Sequence, residues 1–403
     1  MDDRIIVVDV EQGHLVSSIF TPGFYVFDHR LNSALTRYRE LLSRFGAMPL
    51  LDTRPCVGVN SSQKTDECIR AMYVGFGKDA NFGDRWMFQV LGKEMPDVHF
   101  VDSSDMADLW RRAAPEGHFD LCVLGGGTLI NQKPALYSEV RTAVAAGLPC
   151  VCFGTGVGNV ARWGDHLAQW RKLLAEFAFL GVRGPLSLKQ LGALALPNLR
   201  MVGDPCLLDH FNPITERTPR KKLSIWLDLS FGVLEDADSL RMRHMLLREL
   251  ASLEKKGHVD VQFYTTWNVY TPWVSTQLSN YFHRQIDIVD LSAGRTDALR
   301  DADLCITYRL HAFGAALMTG VAAICIAYEE KCLDFASFLE LNDLVFMPGR
   351  EDNRRLNTIL CDNLHDFVRS TTSAICDAVE TSRQKTLSAF GDFRESYRSV
   401  SLR

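Results

Sequence analysis

The sequence lacks the features that mark several large classes of protein. Its eleven cysteines include no Cys-x-x-Cys pair, so they indicate reduced, buried thiols rather than a disulfide framework or a zinc site. The basic excess expected of a nucleic-acid-binding protein is also missing, because the formal net charge is −5. No cluster of histidine, cysteine and aspartate has the spacing of metal ligands. We therefore expect no metal site and no nucleic-acid partner.

Signals for export or membrane insertion are weak. Residues 1–5 lack the basic region and long apolar core of a signal peptide. Residues 312–328 are nearly free of charge, but Thr319 and Gly320 interrupt them, and a spanning helix needs about twenty apolar residues. We expect a cytoplasmic protein without a transmembrane segment. Residues 381–403 are polar and mildly basic, which predicts a solvated terminal helix; a peripheral position at the inner membrane face is the alternative.

What the sequence does contain is a repeated alternation of apolar runs with helical patterns. This alternation is typical of parallel sheets wound with helices, and 403 residues leave room for two such domains. The polar segment 212–220 predicts the linker between them. We therefore expect an α/β protein with doubly wound domains at residues 67–212 and 221–380. An N-terminal extension, residues 1–66, precedes them, and a polar tail, residues 381–403, follows.

Apolar runs bounded by turn residues predict the strands of both domains. They are residues 69–74, 98–101, 121–124, 150–153, 179–182 and 200–202 in the first domain, and 221–227, 259–264, 286–289, 302–307 and 322–327 in the second. In the extension, residues 5–9 and 14–20 predict a hairpin, and residues 32–45 predict a helix.

An arginine and a histidine follow one of these strands. Residues 302–307 predict a buried strand and residues 311–318 the next helix, so Arg309 and His311 lie at the carboxyl end of a parallel strand. Open α/β sheets bind ligands outside these ends, where helix N-termini favour negative charge. A fixed cation beside a proton carrier suits an anionic substrate. The alternative is that Arg309 pairs with a carboxylate and that His311 only caps or packs.

Other polar and glycine-rich segments also follow predicted strands. The turns at 125–127 and 154–158 allow either a phosphate cradle or close packing, because glycine lets backbone N–H groups approach an anion or another element. Asp84 precedes a helix, as either its cap or a site residue. Arg183 ends a strand, and a surface ion pair is its alternative role. Asp204, in a Gly-Asp-Pro turn, is interpreted as structural.

Taken in order, these motifs resemble the polysaccharide pyruvyl transferase family. The matching pieces are Asn-Phe-Gly-Asp at 81–84, three glycines at 125–127, Gly-Thr-Gly at 154–156, Val-Arg at 182–183 with Ser187 and Leu-Gly at 191–192, Gly-Asp-Pro at 203–205, and Arg-Leu-His-Ala at 309–312 followed by Lys331. The resemblance covers about residues 69–345. It implies two Rossmann-like domains in a GT-B-style arrangement, and transfer of a pyruvyl group from phosphoenolpyruvate onto sugar hydroxyls.

The resemblance also implies roles for individual residues. Arg183 and Arg309 would bind the carboxylate and phosphate of phosphoenolpyruvate, His311 would transfer a proton, and Asp84 would lie near the cleft. We predict His311 and Asp84 as catalytic residues. The predicted substrate-binding residues are Arg183, Arg309, Leu310, Gly126, Gly127, Gly156 and Lys331. One departure is that Gly184 stands where the family usually has an acidic residue.

The predicted chemistry suits these side chains. Arginine offers bidentate, permanently charged donors to a carboxylate and a phosphate, and histidine can give a proton near neutral pH. The partners would be phosphoenolpyruvate, as co-substrate rather than cofactor, and a saccharide or lipid-linked oligosaccharide acceptor. Aromatic residues at 264–273 can stack on that acceptor or simply pack. The alternatives are a GT-B glycosyltransferase that uses a nucleotide sugar, a pyruvyl-type transferase with a small-molecule acceptor, and a binding protein that has lost catalysis.

Overall fold

The computed structural model describes residues 4–9, 14–19, 68–77, 81–103, 119–159, 166–214, 220–230, 237–266, 271–291 and 296–401. The chain divides into two units, one of Met1–Thr65 with Leu234–Ala237 and one of Asp66–Val233 with Asp238–Arg403. In the first unit, β1 (Arg4–Asp9) pairs antiparallel with β2 (His14–Ile19), which confirms the predicted hairpin. The helix predicted at 32–45 lies outside the described residues.

The second unit contains two parallel sheets. The strands of the first sheet, among the described residues, are β3 (Ile69–Val74), β4 (Val98–Asp102), β5 (Leu121–Leu124), β6 (Gly127–Ile130), β7 (Cys150–Val157), β8 (Phe177–Val182) and β9 (Leu199–Met201). Their order is β4-β3-β5-β7-β8-β9, with β6 paired to β7. The helices that accompany this sheet are α1 (Phe82–Glu94), α2 (Pro134–Ala145), α3 (Leu167–Leu174) and α4 (Pro185–Gly192). We call this part the first half.

The second sheet follows the same principle with a different strand order. Its described strands are β10 (Leu223–Asp228), β11 (Val259–Thr265), β12 (Ile288–Asp290), β13 (Leu304–Thr307), β14 (Ala322–Ile326) and β15 (Val345–Phe346). They run in the order β12-β11-β10-β13-β14-β15. The helices of this second half are α5 (Ala237–Lys255), α6 (Thr271–Phe282), α7 (Leu310–Met318), α8 (Glu330–Phe338) and α9 (Arg350–Asp362).

The strand order leaves a crevice at one place in each sheet. In the second sheet the chain turns back between β10 and β13, and in the first sheet it turns back between β3 and β5. Connections leave in opposite directions at such a point, so a ligand can reach the carboxyl ends of the strands. Arg309 lies two residues after the end of β13, and Gly125 directly follows β5. The motifs at Gly125 and Arg309 therefore lie at these two crevices.

One local difference from the sequence prediction concerns the first glycine-rich turn. Residues 125–131 were expected to form a turn between a strand and a helix, whereas the structure has a short additional strand, β6, that pairs with β7. The reason is that only Gly125 and Gly126 are needed for the turn itself. The residues that follow, Thr128, Leu129 and Ile130, are β-branched or apolar and favour an extended backbone.

The C-terminal helix, α10 (Leu364–Ser401), differs from the expected solvated tail. Phe390, Phe393 and Tyr397 are buried, and they belong to the core that covers one face of the first sheet. The ring of Phe393 lies 5.3 Å from the ring of Phe179, in β8. The apolar residues recur at intervals of three and four, so they form one buried stripe on an otherwise polar helix. The polar composition of residues 381–403 concealed this stripe.

The two halves share a core. One buried cluster contains Phe82 and Leu207 from the first half, Phe313 and Phe335 from the second, and Ile375 of α10. The uncharged segment 312–328 is divided between helix α7 and strand β14, as predicted. Among the described residues, no helix has both the length and the hydrophobicity required to cross a membrane.

Candidate active site

A cavity of about 250 Å³ lies between the carboxyl ends of the two sheets. Seven of the nine predicted site residues line it: Asp84, Gly127, Arg183, Arg309, Leu310, His311 and Lys331. The residues come from both halves of the second unit, and the cationic groups among them outnumber the carboxylates. The cavity is therefore suited to an anionic ligand.

Gly126 and Gly156 are not among the lining residues. A Cβ atom at Gly126 would overlap the Met87 side chain, and a Cβ atom at Gly156 would overlap the Arg183 guanidinium. Both glycines thus allow close packing behind the cavity wall, which was the alternative to a phosphate cradle. Gly127 differs because it lines the cavity, and its φ of +102° favours glycine.

A second hollow, of about 600 Å³, lies at the opposite, amino-terminal ends of β10 and β11. Its cations are already paired, because Lys222 is 3.1 Å from Asp260 and Arg284 is 3.0 Å from Glu254. An anionic ligand would have to displace these carboxylates. The smaller cavity is therefore the candidate site.

His311 is the second residue of helix α7 and lies beside a buried carboxylate. Its Nε2 is 3.6 Å from Oδ2 of Asp204, and Asp204 is completely buried. Burial alone would raise the pKa of Asp204, but the adjacent His311 and Arg183 outweigh it and hold that pKa below its usual value. The carboxylate is therefore ionised beside the imidazole and can fix the orientation of the ring, as in other carboxylate–histidine pairs.

The first turn of helix α1 packs directly on the other edge of this imidazole. A Cβ atom at Gly83 would overlap Nδ1 of His311, so only glycine fits at this position. Asn81 caps the helix by accepting a hydrogen bond from the Gly83 N–H, at 3.1 Å. The Asn-Phe-Gly-Asp motif thus shapes one wall around the histidine.

Asp84 follows in the same turn of α1 and reaches the glycine-rich segment. A Cβ atom at Gly127 would lie 3.1 Å from Oδ1 of Asp84, so carboxylate and backbone are close. The nearby Tyr73 is completely buried; burial raises the pKa of its hydroxyl, and the negative charges of Asp84 and Asp102 raise it further. The Tyr73 hydroxyl therefore stays protonated behind the part of the cavity wall that contains Asp84.

Arg183 follows β8 and is almost fully enclosed, with only 1% of its surface exposed. Nη1 is 3.7 Å from Oδ2 of Asp204, and Nε is 3.7 Å from Oδ2 of Asp334. Nη2 donates to Oγ1 of Thr128, a lining residue, at 3.5 Å. The surface ion pair considered from the sequence is therefore a buried cluster of one guanidinium and two carboxylates.

Arg309 is held differently, with hydrogen bonds to a carbonyl oxygen and a phenol hydroxyl among its contacts. Its Nε donates to the carbonyl oxygen of Ser230 at 3.0 Å, and Nη1 donates to the hydroxyl of Tyr328 at 3.4 Å. The Thr307 hydroxyl accepts a hydrogen bond from the Arg309 backbone N–H at 3.1 Å. Asp228 lies behind this turn and accepts from the Ser230 N–H at 2.9 Å. Burial raises the pKa of Asp228 more than Ser230 and Arg309 lower it.

Lys331 completes the cationic side of the cavity from the start of α8. Its Nζ is 3.3 Å from Oε2 of Glu329 and 4.7 Å from the ring centre of Tyr328. Burial lowers the pKa of the ammonium, but Tyr328 and Glu329 outweigh it, so the pKa lies above its ordinary value. Lys331 is therefore a permanent cation at neutral pH.

Several of these partners were missed or undervalued in the sequence. Asp204 was interpreted as structural, although the ordered Gly-Asp-Pro motif was a usable signal. Asp334, Ser230 and Tyr328 stand in no motif that assigns them a role, and only their positions in space do so. Tyr264 is buried in β11 and cannot stack on a sugar. Residues 267–270 lie outside the described residues, so the proposed acceptor loop stays a prediction.

The fold and the cavity together define a class of protein: an α/β protein of two Rossmann-like sheets in a GT-B-style arrangement, with a cationic cleft at the strand ends. The crystal structure of TcCGT1 in complex with UDP is similar over 82% of this chain and 100% of that chain, with a TM-score of 0.50 and 11% identity. The S. aureus MnaA–UDP co-structure is similar over 76% and 91% of the two chains, with a TM-score of 0.48 and 7% identity. At 11% identity the similarity to the TcCGT1 structure shows the fold alone.

The sequence comparison identifies the family. The profile of the family described as polysaccharide pyruvyl transferase matches residues 81–330, which is more than half of the chain. The protein therefore belongs to the polysaccharide pyruvyl transferase family, as its motifs predicted. A comparison with curated protein sequences finds no significant match.

Proposed function

We propose that the protein transfers the pyruvyl group of phosphoenolpyruvate to two hydroxyls of a saccharide, forming a pyruvate ketal and releasing phosphate. The observation that carries the proposal is the shared carboxylate of Asp204. It lies 3.7 Å from Arg183 and 3.6 Å from His311, so a fixed cation and a proton carrier from different halves meet at one cavity.

The donor matches the charge of this cavity. Phosphoenolpyruvate carries a carboxylate and a phosphate on a three-carbon skeleton, so it needs several cations within a small space. Arg309 and Lys331 come from the second half and Arg183 from the first. Arginine can bind either anionic group with two parallel hydrogen bonds. The ammonium group of Lys331 adds a positive point charge that can bind the phosphate.

The reaction divides into two additions. His311 gives a proton to the methylene carbon of the donor, which becomes a methyl group, and positive charge develops at the adjacent carbon. An acceptor hydroxyl forms a C–O bond to that carbon and loses its proton, for which Asp84 in the cavity wall is a candidate base. The C–O bond to phosphate then breaks, and phosphate leaves with the electron pair. A second hydroxyl adds to the same carbon, loses its proton and closes the ketal.

The acceptor in this proposal is a saccharide, as the family description suggests, either free or as a lipid-linked oligosaccharide. The cavity offers hydrogen-bonding side chains for such a ligand, including Asn81, Thr128 and Thr266, beside the aromatic rings of Phe76 and Tyr328. Aromatic faces with neighbouring amides and hydroxyls are well suited to sugar rings. A small-molecule acceptor would use the same donor chemistry.

The test is to incubate the purified protein with phosphoenolpyruvate and candidate glycans. We expect inorganic phosphate and a new ketal methyl signal in the NMR spectrum, in equal amounts. The turnover rate of His311→Ala should be lower than that of the wild type by a factor on the order of 10² to 10⁴. His99→Ala is the matched control, because His99 lies on edge strand β4 and does not line the cavity.

Two results would contradict the proposal. One is turnover in His311→Ala equal to that of the wild type. The other is thermal stabilisation by a nucleoside diphosphate but not by phosphoenolpyruvate, which would instead favour a glycosyltransferase that uses a nucleotide sugar.

A further inference from the structure

Asp334 is a buried carboxylate whose partners lie in the other half of the cleft. It belongs to α8 of the second half, yet its Oδ1 accepts hydrogen bonds from the N–H groups of Leu186 at 2.8 Å and Ser187 at 3.2 Å. Its Oδ2 accepts from the Ser187 hydroxyl at 2.6 Å and lies 3.7 Å from Nε of Arg183. These four partner groups belong to the first half: Leu186 and Ser187 lie in the first turn of α4, and Arg183 lies just before it.

This arrangement stabilises a charge that would otherwise be costly. Asp334 is only 2% exposed, and an ionised carboxylate is removed from water at a large cost unless hydrogen bonds and an opposite charge replace the water. The N-terminus of α4 supplies N–H donors and the positive end of the helix dipole. Arg183 supplies the opposite charge.

The sequence at Gly184 is adapted to this contact. A Cβ atom there would overlap both the backbone oxygen and the carboxylate of Asp334. Gly184 therefore leaves a space without a side chain, and the carboxylate of Asp334, from α8, occupies it. The carboxylate beside Arg183 is thus supplied from the second half of the cleft.

We propose that Asp334 is a positioning residue for donor binding, which holds Arg183 at the cavity and so makes donor affinity depend on contact between the two halves. Asp204 lies against Nη1 of Arg183 and Asp334 against Nε, so the guanidinium is fixed along two edges. Its Nη2 is directed to Thr128 in the cavity wall. The inference rests on the proposed function, because the ligand that Arg183 meets is phosphoenolpyruvate.

The test separates the charge of Asp334 from its hydrogen bonds. Asp334→Asn keeps the size of the side chain and an oxygen for the Leu186 and Ser187 N–H groups, but removes the charge next to Arg183. We expect the KM for phosphoenolpyruvate, and the concentration that gives half-maximal thermal stabilisation, to rise on the order of 10- to 100-fold because the arginine is displaced. The kcat should change less than the KM.

Asp303→Asn is the matched control. Asp303 is also buried, accepts a backbone hydrogen bond from Ser224 at 2.8 Å and lies 3.8 Å from an arginine, Arg220. It differs in its position, because Ser224 stands at the amino end of β10, away from the cavity. We expect the affinity of Asp303→Asn for phosphoenolpyruvate to equal that of the wild type.

A double-mutant cycle with Arg183→Lys tests whether Asp334 acts through Arg183. If it does, Asp334→Asn should weaken donor binding much less in the Arg183→Lys background than in the wild type, since the positioned group has already been changed. Fully additive losses would contradict the inference. If Asp334→Asn does not fold, Asp334→Ser, which keeps a capping oxygen without the charge, takes its place in the cycle.

The outcomes distinguish this inference from the proposed function. If phosphoenolpyruvate stabilises the wild type and a charge-free Asp334 variant to the same extent at the same concentrations, the positioning role is wrong and the proposed function stands. If phosphoenolpyruvate does not stabilise the wild type at all, the proposed function is wrong, and the inference fails with it.

Discussion

The two arginines of the cleft, one from each half, are held in different ways. In the first half, Arg183 is enclosed between the carboxylates of Asp204 and Asp334, and 1% of its surface is exposed. In the second half, Arg309 is bound to a carbonyl oxygen and a phenol hydroxyl and is only partly buried. Two carboxylates within 4 Å fix the Arg183 guanidinium along two edges, whereas Arg309 donates to neutral oxygens and has Asp228 as a charged neighbour. Arg183 is therefore the more rigidly held of the two arginines.

The buried aspartates show the same contrast. Asp204 of the first half has its pKa lowered by His311 and Arg183, against the effect of burial. Asp228 of the second half has its pKa raised by burial, which its hydrogen bonds and Arg309 only partly oppose. Charged neighbours thus outweigh the effect of burial on the pKa of Asp204, whereas burial prevails for the pKa of Asp228.

The largest effect is expected when the carboxylate shared by both halves is neutralised. Asp204→Asn removes the charge that orients His311 and balances Arg183, so kcat should fall on the order of 10² to 10⁴. The unfolding free energy should fall by about 3–5 kcal/mol, because a buried partner of an ion pair is lost. Steady-state kinetics and denaturant unfolding measure the two effects. Unchanged kcat would remove Asp204 from the mechanism.

Exchanging each arginine for lysine tests whether the different surroundings of Arg183 and Arg309 have different effects on stability and donor binding. Arg309→Lys should raise the KM for phosphoenolpyruvate on the order of 10- to 100-fold with little change in stability, because lysine lacks the bidentate fork. Arg183→Lys should also lower the unfolding free energy, by about 3 kcal/mol, since it disturbs a buried ion cluster. Equal losses of unfolding free energy in the two variants would show that Arg183 is not held more firmly than Arg309.

The contact between α1 and the histidine of the second half can be tested with two glycines of one helix. Gly83→Ala places a methyl group against the His311 ring and should reduce kcat about 10-fold or more by displacing it. Gly92→Ala is the control, because a Cβ there would meet nothing within 4 Å apart from its chain neighbours and the backbone of its own helix. It should instead gain about 0.5–1 kcal/mol in unfolding free energy, with unchanged kinetics. Similar kinetics in both variants would mean that the ring tolerates the displacement.

The smallest expected effect is a difference in pH dependence between the two aspartates. A folded-state pKa below the unfolded value contributes stability that is present above the unfolded pKa and is lost as the pH falls through the folded pKa. The stability difference between the wild type and Asp204→Asn should therefore shrink as the pH falls below about 4. Asp228 has a raised pKa, so its ionisation opposes folding at neutral pH, and Asp228→Asn should be as stable as the wild type there or more stable. Denaturant unfolding across pH 3–7 compares them; a large loss of stability at pH 7 in Asp228→Asn would contradict the assignment.

Much of the fold could be predicted because its signals are local. The strands at 69–74 and 121–124 match the structure residue for residue, since buried parallel strands appear as short continuous apolar runs. Helix α8 was not predicted, and neither was the strand β6. Both follow loops whose residues were interpreted as motif positions, and the pairing of β6 depends on β7, a neighbour in space rather than in sequence.

The candidate site was predicted in part for the same reason. The positions of Arg309 and His311 could be predicted, because a cation and a histidine that closely follow a buried strand must lie near the end of that strand. The role of Gly83 could not be predicted, since a glycine in a capped turn has many explanations until the imidazole against it is seen. The role of Asp334 had no sequence signal at all, because its partners lie more than a hundred positions earlier in the chain.

Local signals in the sequence were enough to predict the class of fold, most of the strands, the family and the side chains available at the strand ends. These follow from periodicity, turn chemistry and ordered motifs, all of which are properties of neighbouring residues. Tertiary structure alone decided which charges meet: that Asp204 lies between Arg183 and His311, and that Asp334 crosses from one half to the other. The physical reason is that the charge of a buried group depends on the distance to its partners and on the exclusion of water, and both are established only when the two sheets pack together.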